Sequence, residues 1–239
     1  IALICIPLGY GHWMLRRWVQ RVSLTLLWSW LILGIPLLIA FLVMLIASKE
    51  SAGVLDYLLV PLMPIAYLVV PGLLIWFYRS ESVRMTLEAR DPDQGWIDQQ
   101  PIPILVLCFL YFVYFLALHG LIFFNGIFPF FHVFLVGMAG FGLITLSVIW
   151  LAILILGTIQ RKMWAWWGAL AYFGLLTISA IMALSRYSWA GLLGLMKFAE
   201  TELQALGGMP LQGFHFTSIV GIPLLLTLVV IITSRRYFA

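Results

Sequence analysis

The chain has 239 residues, of which 64% are hydrophobic and 9% are charged, and its formal charge at pH 7 is +4. An ordinary soluble domain carries about 25% charged residues, so a soluble fold of this composition would leave a large apolar surface in water. The composition excludes a water-soluble protein and favours a chain that lies in a membrane.

The excess of positive charge does not indicate a nucleic-acid partner. The basic residues stand at the ends of the apolar stretches, where membrane topology already requires them. Cys5 and Cys108 lie in apolar stretches and have neither the pairing of a disulfide framework nor the spacing of a zinc site. The chain starts at Ile1, and the apolar residues 1–8 are too short to span alone, which leaves open a seventh span upstream.

Six long apolar runs predict six membrane spans, because about 20 residues of helix cross a hydrocarbon core of roughly 30 Å. Backbone amides have no water to bond in lipid, and the alternating strands of a barrel are absent, so each run is predicted to be helical. The spans are predicted at residues 24–47, 54–78, 104–124, 134–159, 164–184 and 217–233. The predicted fold is all-α, a polytopic transmembrane helical bundle in a single domain over residues 1–239.

Lys and Arg are distributed unevenly between the two ends of these spans. Ten of the thirteen fall on one side, and Lys49, Arg186 and Lys197 fall on the other. Positive residues are retained in the cytoplasm during insertion. The sequence therefore predicts a multi-pass protein of the cell membrane, or inner membrane, with both visible ends in the cytoplasm. The ten residues are Arg16, Arg17, Arg21, Arg79, Arg84, Arg90, Arg161, Lys162, Arg235 and Arg236.

The cytoplasmic loop 79–103 is predicted to start as a helical extension of the second span. Glu81, Arg84 and Glu88 have the spacing at which opposite charges pair on a helix. The sequence Asp-Pro-Asp-Gln-Gly from Asp91 onward then predicts a turn.

The outer segment 186–216 has the pattern of an amphipathic helix that lies in the membrane interface. On its polar face, Lys197 and Glu200 have the spacing of a surface ion pair. Its apolar stripe consists of Trp189, Leu192, Leu193, Met196, Ala199 and Leu203.

Prolines and glycines inside the spans indicate kinks and close contacts. Proline removes a backbone donor from a helix, so each intramembrane proline is predicted to kink its helix or leave a carbonyl free. The prolines are Pro36, Pro61, Pro64 and Pro223. The fourth span carries glycines that favour close contact between helices, at Gly137, Gly140 and Gly142.

No Asp, Glu, Lys or Arg falls in the middle of any predicted span. Ion-coupled transporters and proton relays generally need ionisable groups at membrane depth, so this pattern disfavours a pump or symporter. A pore lined by carbonyls, aromatics or hydroxyls stays open, with candidate hydroxyls at Thr145, Ser147, Thr177 and Ser179.

Three histidines are predicted to lie at the outer surface. His119 ends the third span, His132 precedes the fourth and His215 precedes the sixth, with Asp56 and Glu200 at a similar depth. Imidazole ligates metals, haem and chlorophyll, so these histidines are the candidate cofactor-binding residues. Their spacing fits no ligand motif, and the simpler interpretation is that they bond water, headgroups or backbone at the interface.

The cytoplasmic loop holds two further candidate features. Asp91, Asp93 and Asp98 resemble the acidic part of a calcium loop, but Gly95 stands at the wrong position, so a solvated acidic loop facing Arg84 and Arg90 is predicted instead. Trp96 and Ile97 would be exposed apolar anchors in a polar loop, and they are the candidate residues for docking a partner.

The common signatures of hydrolases, nucleotide binding and haem attachment are missing, so no catalytic residue is predicted and an enzyme is disfavoured. The favoured hypothesis is a non-catalytic membrane subunit or scaffold that packs against other membrane proteins, lipid or pigment. One alternative is a transporter or channel built on helices kinked at Pro36, Pro61 and Pro64. Another is a haem-, metal- or chlorophyll-binding membrane protein that uses the outer histidines.

Overall fold

A computed structural model describes residues 2–47, 61–198 and 213–239. It is 80% helical with nine helices, which confirms an all-α helical membrane bundle across the described residues. The helices are α1 Ala2–Trp13, α2 Trp18–Ala47, α3 Pro61–Tyr78, α4 Glu81–Arg90, α5 Ile102–Ile122, α6 Gly137–Ile159, α7 Met163–Leu184, α8 Trp189–Met196 and α9 Gly213–Thr233.

Five described helices are long and apolar enough to cross a membrane: α2 over Trp18–Ile39, and α3, α5, α6 and α7. The apolar part of α9, Thr217–Thr233, is shorter and coincides with the sixth predicted span. The protein is therefore a membrane-embedded, multi-pass helical protein. Residues 54–60 of the second predicted span lie outside the described residues.

Helix α2 begins at Trp18, before the start of the first predicted span at residue 24. The added turn contains Arg21, whose carbonyl accepts a hydrogen bond from Thr25 Oγ1 at 2.8 Å. Arginine side chains extend to the headgroups, so a helix can continue past the hydrocarbon boundary through a charged turn that hydropathy alone leaves out.

Five helices form a closed ring. Helix α5 packs on α6 and α2, α2 packs on α9, α9 on α7, and α7 on α6. Fully buried side chains from α5, α6 and α7 fill the core, and the largest are Tyr111 and Phe173, whose rings stack with centroids 5.1 Å apart.

Helix α3 lies outside this ring and packs mainly on α2. The two helices meet where the rings of Trp30 and Tyr67 are 5.3 Å apart. A Cβ at Gly34 would lie 2.9 Å from Cδ1 of Tyr67, so the missing side chain sets how closely the helices approach. Immediately after Pro64, residues Ile65–Val69 form a π-helical turn, a local irregularity of the kind that the intramembrane prolines predict.

Helices α5 and α6 are joined by a β-hairpin that the sequence analysis missed. Strand β1 Phe128–Phe130 pairs antiparallel with β2 Val133–Leu135, so residues 134–136, assigned to the fourth span, precede that helix. Positive φ angles interrupt helical geometry before the hairpin at Asn125 and Gly126, within its turn at Phe131, and after it at Gly137.

Gly140 provides a close contact, but with the hairpin connection rather than with another helix. A Cβ at Gly140 would lie 1.8 Å from the carbonyl oxygen of Gly126, whereas Gly137 and Gly142 have open space at this position. The prediction of a close approach is therefore confirmed at Gly140, and the predicted partner was wrong.

The charged loop between α3 and α5 contains its own helix, α4, rather than an extension of α3. The hydroxyl of Ser80 caps it by accepting from the backbone amide of Val83 at 3.4 Å. The expected pairing within this helix is confirmed, since Arg84 lies 3.2 Å from Glu81 and 4.0 Å from Glu88.

Asp91, the first acidic residue after α4, contacts the start of α2 and not Arg84 and Arg90 as predicted. Asp91 accepts from the backbone amide of Arg17 at 3.1 Å and lies 3.5 Å from the guanidinium of Arg16. Glu88 pairs with the Arg17 side chain at 2.9 Å. The loop folds back because the start of α2 offers both an open helix amide and two cations.

Candidate functional site

A cavity of about 520 Å³ lies in the half of the bundle that carries the hairpin. Its wall comes from α2, α5, α7, α8, α9 and the hairpin, with Leu33, Leu118, Phe134, Leu176 and Leu192 as representative lining residues. This volume falls within the range of about 300–1,000 Å³ that is typical of small-molecule sites.

The cavity wall is almost wholly apolar. The lining side chains with polar atoms are Tyr114 and Trp189. The hydroxyl of Tyr114 lies 2.9 Å from Oγ1 of Thr227, which donates to the carbonyl of Pro223 at 2.8 Å, so Tyr114 acts as the donor in this pair. Among the described residues, the wall offers no charged group to a ligand, and a cavity of this kind favours hydrocarbon over water.

Helix α8 forms part of the wall with the stripe that the sequence predicts. Ser188 caps the helix by accepting from the Gly191 amide at 3.3 Å. Trp189, Leu192 and Met196 line the cavity. Ala199 and Leu203 of the predicted stripe, and the remainder of the segment 199–212, lie outside the described residues.

The loop before the hairpin fixes α8 in place. The side-chain amide of Asn125 donates to the carbonyl of Leu195 at 3.0 Å, and Phe134 packs edge-on against Tyr187 with centroids 5.1 Å apart. The described part of the amphipathic segment is thus packed against the end of the bundle, with Leu192 and Leu193 buried.

Two residues of the cavity wall are also strongly exposed. Leu37 of α2 is 52% exposed and Val220 of α9 is 40% exposed, although both line the cavity. In a membrane, exposed apolar side chains of transmembrane helices contact hydrocarbon chains.

The structure places the three candidate histidines in different local settings. His119 Nδ1 bonds the carbonyl of Phe115 one turn earlier at 2.8 Å, and its ring packs on the ring of the same residue. His132 is exposed in the hairpin turn, and His215 is half-buried in the first turn of α9.

No three His, Cys, Asp or Glu side chains lie close enough to hold a metal ion among residues 2–47, 61–198 and 213–239. Asp56 and Glu200, and with Glu200 its expected ion pair with Lys197, lie outside those residues. Haem or chlorophyll binding by His119, His132 or His215 stays a prediction.

The candidate docking residues lie at the opposite end of the bundle, beside the charged loop. Trp96 is 59% exposed, Ile97 is half-buried, and both line a second, shallower cavity of about 250 Å³ against α2 and α5. Docking of a partner protein at this pair stays a prediction.

The candidate pore hydroxyls bond their own helices or are buried in the core. Thr145 donates to the carbonyl of Phe141 at 2.9 Å, and Thr177 donates to Phe173 at 2.6 Å. Ser147 and Ser179 are buried. A transport route along these four residues stays a prediction.

The polar contacts between helices were missed at the sequence level. An example is the Tyr114–Thr227 pair behind the cavity wall. Another joins α1 to α3, where His12 Nε2 lies 2.5 Å from the hydroxyl of Tyr78. An aromatic residue in an apolar run gives no local signal for either pairing.

The fold and the apolar cavity define the class of this chain: a multi-pass, all-α membrane bundle with a hydrocarbon-lined site in one half. No protein-family model, curated protein or solved structure matches the chain.

Proposed function

We propose that this protein is a non-catalytic membrane scaffold that holds a hydrocarbon chain, from a membrane lipid or an isoprenoid pigment, in the cavity at the hairpin end. The cavity is the observation that carries the proposal. Its volume of about 520 Å³ and its apolar wall suit a flexible chain and offer no charged group to a polar substrate.

The form of the cavity also supports a chain-like ligand. We propose that a chain enters from the lipid tails beside Leu37 and Val220, because both are exposed apolar side chains that also line the cavity. The indole of Trp189 and the ring of Tyr114 form rigid aromatic parts of the wall. An apolar ligand packed on them would be buried at little entropic cost to the protein.

Helix α3 supports the role of a subunit. Only 11% of its span is buried, compared with 28–44% for the other four spans. Its outward face carries large apolar side chains, including Leu73 and Trp76. We propose that another transmembrane protein packs on this face.

Orientation completes the proposal. We propose that the protein lies in the cell membrane and that the span ends with Arg16, Arg17 and Arg21 face the cytoplasm, in accord with the excess of positive charge there. The cavity then lies in the outer half of the membrane.

Ligand binding is tested by filling the cavity. Ala180 is buried on α7 and lines the cavity, whereas Ala171 is exposed on the same helix. Protein purified in mild detergent is titrated with a fluorescent polyene fatty acid, and co-purified lipids and pigments are extracted and identified. We expect Ala180→Leu to reduce binding at least tenfold and to leave the melting temperature of the ligand-free protein unchanged or higher. Ala171→Leu should bind like the wild type.

Equal binding of the fatty acid by the two variants would overturn the ligand site. Substrate flux by the wild-type protein in liposomes would overturn the scaffold role. If Ala180→Leu does not fold, Ala117→Leu adds the same bulk from the exposed wall residue on α5. An absorption spectrum of the purified protein distinguishes pigment from colourless lipid.

The partner is tested with a photoreactive amino acid on α3. Leu73 is 59% exposed there, and Leu146 on α6 is 62% exposed and serves as the control. Illumination in native membranes should give one discrete protein adduct from position 73 and lipid adducts from position 146. Lipid adducts alone from both positions would refute a subunit that docks on α3.

A further inference from the structure

At the end of the bundle opposite the hairpin, α2 and α5 leave a groove of about 250 Å³ between them. Val22 and Leu26 form one wall, and Leu105, Phe109 and Phe112 form the other. These positions on α5 repeat at helical spacing and extend over about 10 Å along the helix axis. The groove is apolar, faces outward and runs parallel to the spans.

The charged loop forms a roof over one end of this groove. Trp96 and Ile97 line it from above, and the loop is fixed there because Arg21 donates to the carbonyl of Gln100 at 2.6 Å. Within the loop, Asp98 is buried and accepts from the amide of Gly95 at 3.0 Å. An exposed tryptophan above an apolar groove is typical of the headgroup layer of a membrane.

Arg21 directly precedes the groove residue Val22, bonds the loop that covers the groove, and differs from its neighbours in its partners. Arg16 and Arg17 are paired with Asp91 and Glu88. Among residues 2–47, 61–198 and 213–239, no carboxylate pairs with Arg21, which bonds a neutral carbonyl instead. Within those ranges its positive charge is not neutralised by an ion pair, and the guanidinium has further N–H donors.

We propose that this groove binds a glycerophospholipid, with the phosphate on Arg21 and one acyl chain along the groove. Arginine binds phosphate through paired N–H donors, and half-exposed aromatic side chains form the floor for the chain. The combination of one unneutralised cation with an apolar channel that starts at the same depth matches the two ends of a phospholipid. A free phosphate would make no use of the groove, and a diacylglycerol would make no use of Arg21.

The experiment measures phospholipid and diacylglycerol binding separately. Variants are made in the Ala180→Leu background, so that the cavity at the hairpin end does not contribute. Detergent-solubilised protein is titrated with dioleoylphosphatidylglycerol or with dioleoylglycerol, and native mass spectrometry gives the fraction with one lipid bound. We expect the protein to prefer the phospholipid.

Arg21→Gln should weaken phospholipid binding about tenfold, the size expected for a charge-assisted hydrogen bond, and leave diacylglycerol binding unchanged. Arg21→Lys should retain part of the preference, because it keeps the positive charge. Val22→Trp should weaken binding of both lipids by filling the groove.

Two matched controls identify the site. Arg90→Gln removes an exposed cation from α4 at the same end of the bundle, and Val69→Trp adds an indole to the exposed face of α3. Both should bind phospholipid like the parent. Equal losses in Arg21→Gln and Arg90→Gln would overturn the proposal in favour of general attraction to basic residues. Unchanged binding in Arg21→Gln and Val22→Trp would overturn the groove as a whole, and neither result bears on the cavity at the hairpin end.

Discussion

The two ends of the bundle are held together by different kinds of contact. At the basic end, polar atoms bridge separate elements: Gln20 donates to the carbonyl of Tyr78 at 2.6 Å, and Trp166 donates to that of Ile231 at 2.8 Å. At the hairpin end, apolar side chains and the Gly140–Gly126 approach predominate. Hydrogen bonds fix both distance and direction, whereas apolar contacts constrain direction less, and the larger of the two cavities lies at the hairpin end.

The largest expected effect tests whether close backbone packing holds the hairpin end. Gly140→Ala would place a methyl group 1.8 Å from the carbonyl oxygen of Gly126, and neither backbone can move without shifting the hairpin. We expect a loss of about 3 kcal/mol of stability, at the upper end for overpacking, measured as a large fall in melting temperature in detergent.

Gly142→Ala is the control on the same helix, because its added methyl group meets open space. Its melting temperature should stay at or slightly above that of the wild type, since alanine favours helix. Equal melting temperatures for the two variants would mean that the hairpin end tolerates displacement of the loop, and the contrast between the ends would then have to be abandoned.

An intermediate effect is expected from a polar bridge at the basic end. Trp166→Phe keeps the buried ring but removes the donor to the carbonyl of Ile231, which joins α7 to α9. We expect a loss of about 1.5 kcal/mol, as for the removal of a buried hydrogen bond, while the carbonyl of Ile231 keeps the bond that it accepts from Ser234 Oγ at 2.9 Å. Thermal unfolding followed by circular dichroism measures it.

The neighbouring Trp167 is exposed and supplies the control. Trp167→Phe should unfold within about 0.5 kcal/mol of the wild type, as exposed substitutions generally do. If both variants lost the same stability, the effect would come from the change of aromatic ring and not from the hydrogen bond.

The smallest effect concerns the ion pair that fixes the charged loop. Arg17→Gln removes the contact with Glu88 at 2.9 Å, and we expect a loss of about 1 kcal/mol at low salt, since both groups remain partly exposed. Amide exchange in α4 should speed up accordingly. High salt should shrink the difference from the wild type.

Arg84→Gln is the matched control, because Arg84 and Glu81 are both well exposed and lie on one helix. Its effect on exchange in α4 should be smaller than that of Arg17→Gln. The reverse order would indicate that the helix is stabilised locally rather than by its attachment to α2.

The spans could be predicted because their signal is local. About 20 consecutive apolar residues specify a transmembrane helix without reference to the remainder of the fold. The hairpin could not be predicted, because the apolar sequence Phe-Pro-Phe-Phe-His-Val-Phe-Leu fits a buried strand or helix equally well. The hairpin depends on the left-handed backbone at positions such as Asn125 and Phe131. Both residue types also occur in helices, so neither one predicts a turn by itself.

The cavity was predicted only in part, for a similar reason. The sequence predicted that Trp189, Leu192 and Met196 form one face of a helix. The opposite walls come from helices whose apolar residues surround the axis, and the Tyr114–Thr227 pair joins residues 113 positions apart. Which side of a uniformly apolar helix faces a void depends on its neighbours, and the sequence does not encode it locally.

The hairpin changes what a connection between two spans can be. Paired strands satisfy each other's amides, so β1 and β2 can pack on Tyr187 and α7 at the end of the bundle, a position that an irregular loop would occupy only with more unpaired backbone groups. Phe128 is buried and Phe134 lines the cavity. The connection thus supplies part of the cavity wall, and the pairing of β1 with β2 holds Phe134 in that wall.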